Sequence, residues 1–173
     1  MFDFISKRLK EKFLTFDFMS RIIVKTVEQN LRDDYDCVIF DVMPVDIIDM
    51  HNEVCPLDDP DDLTGFTMSN KQAADGGLHG CVFFSLSAIQ RCSEDFGFLK
   101  SLRLVREITL HECRHADQFE FLRERGGPDL IERVTQAQKG VPYLENIFEV
   151  DAYYYQFTGE KTDFELVFAR YLN

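Results

Sequence analysis

Residues 98–125 read FLKSLRLVREITLHECRHADQFEFLRER, the most strongly periodic stretch of the chain. Leu104, Ile108, His111, His115, Phe119 and Leu122 recur at steps of three and four, the spacing that places side chains on one helical stripe. Gly126-Gly127-Pro128 follows, a glycine stop and then a residue that cannot continue a helix. The stretch predicts one long buried helix, and the rest of the fold is read outward from it.

Upstream, CVFFSLSAI (Cys81–Ile89) is too apolar for a strand with one wet face and predicts a central or well-covered strand. Before it, residues 51–79 hold three of the nine glycines and two of the five prolines, which predicts a long loop. Its acidic residues Asp58, Asp59, Asp61 and Asp62 lack the spacing of a calcium-binding loop and read as a solvated turn. DCVIFDVM, Asp36–Met43, is β-branched and aromatic and ends at Pro44, as a strand would. From Phe2 to Leu31 the residues Ile5, Leu9, Phe13, Phe16, Met19, Ile23 and Val27 predict a long or broken amphipathic helix packed on the core. Basic residues on its other side (Lys7, Arg8, Lys10, Lys12, Arg21, Lys25) make a membrane-surface or partner-docking role the alternative use.

Downstream, shorter helices are expected over Pro128–Lys139 and over Pro142 to about Phe157, the second closed by Gly159. Thr162 with Glu165 three residues later reads as a capping box for a last helix through Phe164, Leu166, Val167 and Phe168. No repeat and no linker interrupts the 173 residues, so one domain is expected. The pattern as a whole is α+β: a small sheet packed on the long helix, with additional helices at both ends.

Composition narrows the function classes. A content of 45% hydrophobic and 29% charged residues excludes collagen, coiled coil and wholesale disorder. The formal charge of −12 has the wrong sign for a phosphate-binding surface, so nucleic acid is not an expected partner, whereas a basic peptide or protein would be attracted. No run approaches the ~20 apolar residues of a membrane span, and no targeting segment is visible. Cys37, Cys55, Cys81, Cys92 and Cys113 form an odd set without a CxxC pair, which reads as reduced thiols and a cytoplasmic location.

The chemistry is concentrated in HECRH at 111–115. Two imidazoles four apart on a helix have Cβ atoms roughly 6 Å apart, so both can reach one ion at zinc–nitrogen distances of about 2.0–2.1 Å. Glu112, one position round, can accept a proton from a water in an open metal position. The plainer alternative is a helix whose histidines are satisfied by buried hydrogen bonds. Against it, the motif lies mid-helix on the apolar stripe and uses two of only four histidines. A third ligand is still required. A metzincin extension would put glycine at 118 and histidine at 121, where Gln118 and Phe121 stand, and His51 and His79 both precede the motif. YLENIFEVDAYYYQ at 143–156 supplies Glu145 and Glu149, four apart on an otherwise apolar helix. Their charge needs a metal or an arginine such as Arg114 or Arg170.

HECRH followed after about 30 residues by a glutamate-bearing helix resembles the gluzincin branch of zinc metallopeptidases, in particular its small, minigluzincin-like members. The resemblance covers residues 80–157, the metal-site core. Residues 1–35, the N-terminal helical segment, lie outside it. It implies a zincin-like fold in which the strand CVFFSLSAI pairs with an extended substrate, and a second helix of the form Glu-x-x-Ala-Asp. Glu149 and Ala152 match that form and make Glu149 the implied third ligand, with Tyr153 in the place of the aspartate. A thermolysin-like register would select Glu145 instead. The implied activity is hydrolysis of peptide bonds with zinc as cofactor, Glu112 as general base and a peptide or protein as substrate. The contrasting expectation is a zincin fold retained as an inactive binding or structural protein. Tyr143, Tyr153, Tyr154, Tyr155 and His79 are candidates for stabilising the oxyanion, and Asp151 for supporting the ligands.

Overall fold

The structure, a computed structural model, describes residues 14–31, 35–54, 59–72 and 78–172. Thr15 starts the first helix by accepting from the Phe18 amide at 3.3 Å, and α1 runs Phe16–Asn30. Met19, Ile23 and Val27 are its buried stripe. Ile5, Leu9, Phe13 and the basic residues Lys7, Arg8, Lys10 and Lys12 lie outside the described residues. β1 (Tyr35–Phe40) is followed by exposed Asp41 and Val42, so the strand is shorter at its end than expected. The Pro44 carbonyl then accepts from the Ile47 and Ile48 amides, both at 3.1 Å, and α2 occupies Val45–Val54.

The loop expected over 51–79 is corrected at both ends: His51 belongs to α2, and β2 occupies Gly65–Gln72. β2 is flanked by Pro, Asp and Gly clusters that read as loop, so its pairing comes from its partner strand rather than from local signal. β3 (Leu78–Ser85) is that partner. The run CVFFSLSAI divides at Ser85, whose hydroxyl accepts from the Ala88 amide at 3.4 Å and starts α3 (Leu86–Cys92).

The strands are ordered β1-β3-β2, with β1 parallel and β2 antiparallel to β3. β3 is central, as its apolar composition implied. Both its edges are occupied, which corrects the expectation that CVFFSLSAI pairs with a substrate: among the described residues, β1 and β2 are the outer strands of the sheet. Successive β3 side chains face opposite ways. Val82 and Phe84 join Met19 and Ile23 of α1 in the main core, and Phe83 joins Ile47 and Ile48 of α2 on the other side. Burying each such side chain contributes about 1.5–3 kcal/mol.

Val105, Ile108, Cys113 and Ala116 complete the main core from α4, which spans Phe98–Gln138. The expected glycine stop is present as a break within that span: Gly126 and Gly127 leave helical geometry, Gly127 at φ 67°, and helix resumes from Pro128. One tight turn, Tyr143–Glu145, precedes α5 (Ile147–Thr158). The single helix expected from Pro142 is therefore divided. Asn146 divides it, with extended geometry and a side chain that accepts from the Phe148 amide at 3.0 Å. Gly159, at φ 71°, closes α5 as its position suggested. The last helix, α6 (Phe164–Val167), is capped by Asp163 rather than Thr162, because the Thr162 hydroxyl is drawn inward to Asp151. Leu122, Val134, Phe148 and Phe168 form the core at this end. No helix among the described residues is long and apolar enough to cross a membrane. Cys37, Cys81, Cys92 and Cys113 are free thiols, and Cys55 lies outside the described residues.

Candidate metal centre

α4 and α5 pack against each other and bring His111, His115 and Glu149 together, all buried. His111 Nε2 lies 3.1 Å from His115 Nε2 and 3.1 Å from Glu149 Oε2, and His115 Nε2 lies 3.5 Å from Glu149 Oε1. One donor atom from each residue can be chosen so that all three fall within 4.8 Å of one another. Donors around a tetrahedral zinc at about 2.0–2.1 Å are separated by about 3.3–3.4 Å, so two imidazoles and a carboxylate at these spacings fit such an ion with one position left open. The group can hold a metal ion.

The electrostatics follow from two helices sharing one carboxylate. Burial alone would lower the His115 pKa, but the Glu149 charge and hydrogen bond outweigh it and hold the imidazole up at about 9. Burial alone would raise Glu149, and the two histidines instead hold its carboxyl well below the usual range. Without metal, a proton on His115 neutralises the buried carboxylate.

His115 is oriented from behind. Its Nδ1 meets Gln118 Oε1 at 2.8 Å, while the Gln118 amide donates to the Phe148 carbonyl at 2.9 Å and to Asp151 Oδ2 at 2.7 Å. Asp151 in turn accepts from Arg114 through both oxygens, at 2.8 and 3.1 Å. Arg114 is 1% exposed, lies over the Phe164 ring at 3.8 Å, and donates to the Thr162 hydroxyl at 2.8 Å. The arginine considered as a partner for Glu149 thus serves Asp151, and Arg170 stands over the Tyr171 ring. Asp151 is linked to His115 through Gln118.

Glu112 is 5% exposed and takes its position from β2. The Thr67 hydroxyl lies 2.8 Å from Glu112 Oε2 and 2.9 Å from the Glu112 carbonyl. Gly65 leaves the space for this carboxylate: a Cβ there would meet Glu112 Cγ at 2.6 Å. Burial, opposed by the two histidines, pushes the Glu112 carboxyl up.

These groups open on a cavity of about 610 Å³. Thr64, Gly65, Phe66, Thr67 and Met68 all line it, although successive strand residues face opposite ways, so the cavity runs round the outer edge of β2. His51 of α2 reaches it from the far side. Tyr143 and Tyr153 also line it; their rings meet edge-on at 5.7 Å, and Tyr153 meets His111 edge-on at 4.9 Å. Burial and then the hydrogen-bonded Glu149 charge push the Tyr143 hydroxyl up.

Other candidates fall elsewhere. Glu145 is exposed on the turn before α5, outside the metal group. The Tyr154 hydroxyl is 2.9 Å from Glu160 at the surface, and that of Tyr155 is 3.4 Å from Asn30. The His79 side chain lies outside the described part of the structure. Gly65 and Thr67 were missed because the sequence placed them in a loop. Gln118 was read only for the glycine it replaces, though three residues after His115 on a helix is within reach of that ring.

Compared with protein families, with curated proteins and with solved structures, the chain matches none.

Proposed function

We infer that the protein is a zinc-dependent peptidase in which His111, His115 and Glu149 hold the metal and Glu112 is the general base. The observation that carries this reading is a buried carboxylate, Glu112, held by Thr67 beside a metal-competent triangle at the wall of a cavity. Two nitrogens and one carboxylate suit zinc better than the hard cations calcium and magnesium, which prefer all-oxygen sites. Bound zinc would supply a lowered pKa for a coordinated water, toward about 7, and polarisation of the scissile carbonyl.

The chain's own residues account for the rest. Thr67 engages Oε2 of Glu112, which leaves Oε1, lying over Gly65, to take the proton of the attacking water. Burial raises that carboxyl, bringing it closer to the range in which a group can accept a proton and then deliver it to the leaving amine. Gln118 holds His115 in one orientation, and Asp151 with Arg114 holds Gln118. An extended peptide would lie along the outer edge of β2, its backbone adding to the sheet. Apolar Phe66, Met68, Leu104, Ile108 and Phe148 would face its side chains, and the chain's net charge of −12 would favour basic sequences.

The test is Glu112→Gln beside wild type on a library of basic, unfolded peptides. The variant should keep its zinc and lose about 10²–10⁴ in rate. Cleavage undiminished in the variant would assign the activity elsewhere. Zinc binding without cleavage of anything would favour a metal-stapled binding protein.

A further inference from the structure

α5 carries an exposed aromatic face that begins at the metal group. Glu149, Tyr153 and Phe157 are spaced by four residues and so share one stripe of the helix. Tyr153 lines the cavity and meets His111 edge-on at 4.9 Å. Phe157 stacks on Tyr153 at 5.9 Å, with the ring planes 10° apart, and is 61% exposed. Tyr154, its neighbour on the helix surface, is 43% exposed. Scattered apolar side chains at a surface are ordinary, but Val150, Tyr154 and Phe157 are exposed together and adjoin the cavity through Tyr153.

The charge around this face selects a cation. Among the described residues that line the cavity, Glu53, Asp62, Glu112 and Glu149 are acidic and none is a lysine or an arginine. The C-terminal end of α5, where the helix dipole is negative, has no basic residue in its last turn. Glu160 lies just beyond that end, and its carboxylate accepts from the Tyr154 hydroxyl at 2.9 Å. Lys161, the next basic residue along the chain, is paired with Asp117 at 2.7 Å and stands over the ring of buried Tyr155. A flat guanidinium can lie on an aromatic face while its N–H groups reach a carboxylate, which makes arginine a better fit than lysine.

Resting on the peptidase reading, we propose that Phe157 and Tyr154, with Glu160, form a specificity subsite for an arginine side chain of the substrate. Glu149 and Phe157 are separated along α5 by about 12 Å, at 1.5 Å per residue. An extended peptide advances about 3.3 Å per residue, so the arginine stands three or four residues from the scissile bond. β2 and α5 then hold the same peptide, β2 by its backbone and α5 by one side chain.

The experiment uses zinc-loaded protein and the peptide of the basic library that wild type cleaves fastest, rebuilt with glutamine at every lysine and arginine and a single arginine moved through each position on both sides of the scissile bond. In wild type, kcat/KM should peak with arginine three or four residues away on one side, about 2–30-fold above the all-glutamine peptide. In Phe157→Ala the ratio of those two peptides should fall to near one, in Phe157→Trp it should persist, and Glu160→Gln should lower it in part. The same order should appear in binding without cleavage, read as the fluorescence anisotropy of labelled peptides on zinc-loaded Glu112→Gln protein. A flat profile in wild type, a peak at another distance, or a peak that survives Phe157→Ala overturns the subsite, while cleavage itself leaves the peptidase reading standing. Should Phe157→Ala not fold, the wild-type profile and Glu160→Gln still decide. A wild-type dimer that Phe157→Trp or Phe157→Ala dissociates, seen by sedimentation, would assign the face to a second copy and also overturns the subsite. If wild type cleaves no peptide of the library, the peptidase reading and the subsite fall together.

Discussion

Replacing Gly65 by alanine tests whether β2 sets the position of Glu112. The added methyl would stand 2.6 Å from Glu112 Cγ and 2.7 Å from Oε1. Ordinary contact begins at 3.4 Å, so one side must move by roughly 0.8 Å. Neither side is free to do so: Gly65 is registered against Phe84 in the sheet, and Thr67 holds both the carbonyl and the carboxylate of Glu112. Overpacking of this kind costs about 1–3 kcal/mol. At this chain length that corresponds to a fall of about 2–12 °C in Tm. A base displaced by nearly 1 Å also costs on the order of 10² in rate. Zinc should be retained, because Gly65 meets Glu112 and not the ligands. Scanning calorimetry and metal analysis on a double-mutant cycle make the test specific. In a Glu112→Ala background the obstructing Cγ is gone, and Gly65→Ala should then cost little or nothing. An unchanged Tm for Gly65→Ala alone, or the same loss in both backgrounds, would refute the close approach.

Two further outcomes follow from the site. In the zinc-free protein His115 is held up from 6.5 to about 9, so its contribution to stability is full below 6.5 and is lost as pH rises through 9. Tm of the chelated protein should fall across that window, the stabilisation by added zinc should grow across it, and His115→Phe should flatten both slopes; thermal melts at fixed ionic strength check this. Gln118→Ala frees the back of His115 and leaves Asp151 to Arg114 and Thr162, so zinc affinity measured by competition with a chromophoric chelator should drop about 10–100-fold while Glu112 keeps its place.

The parts of the site that lie within one helix were legible in the sequence. HECRH declares its geometry because a four-residue helical step fixes which side chains share a face, and the apolar stripe around it shows that the face is buried. Glu149 was within reach of the same logic, since a carboxylate on an apolar helix must be neutralised. What failed was local detail at α5: Asn146 caps the helix after Glu145, so the two glutamates do not share it. The larger omission was β2. Gly65 and Thr67 gain their roles only from pairing with β3 and contact with Glu112, and nothing nearby in sequence signals either. His51 was set aside as a ligand and does stand outside the metal group, although α2 brings it to the wall of the same cavity, which nothing in the sequence signals. Thr162 had the spacing of a cap but serves Asp151, a partner 11 residues away in sequence.

The central claim is that the facing histidines and Glu149 form a zinc site. It is tested most directly by metal analysis of protein purified without chelator and without a histidine tag, for wild type, Glu149→Ala and Glu145→Ala. The account predicts close to one zinc per chain in wild type and in Glu145→Ala, and a large loss of zinc in Glu149→Ala. Wild-type protein that carries no metal and is not stabilised by added zinc would contradict it, as would zinc that depends on Glu145 rather than Glu149.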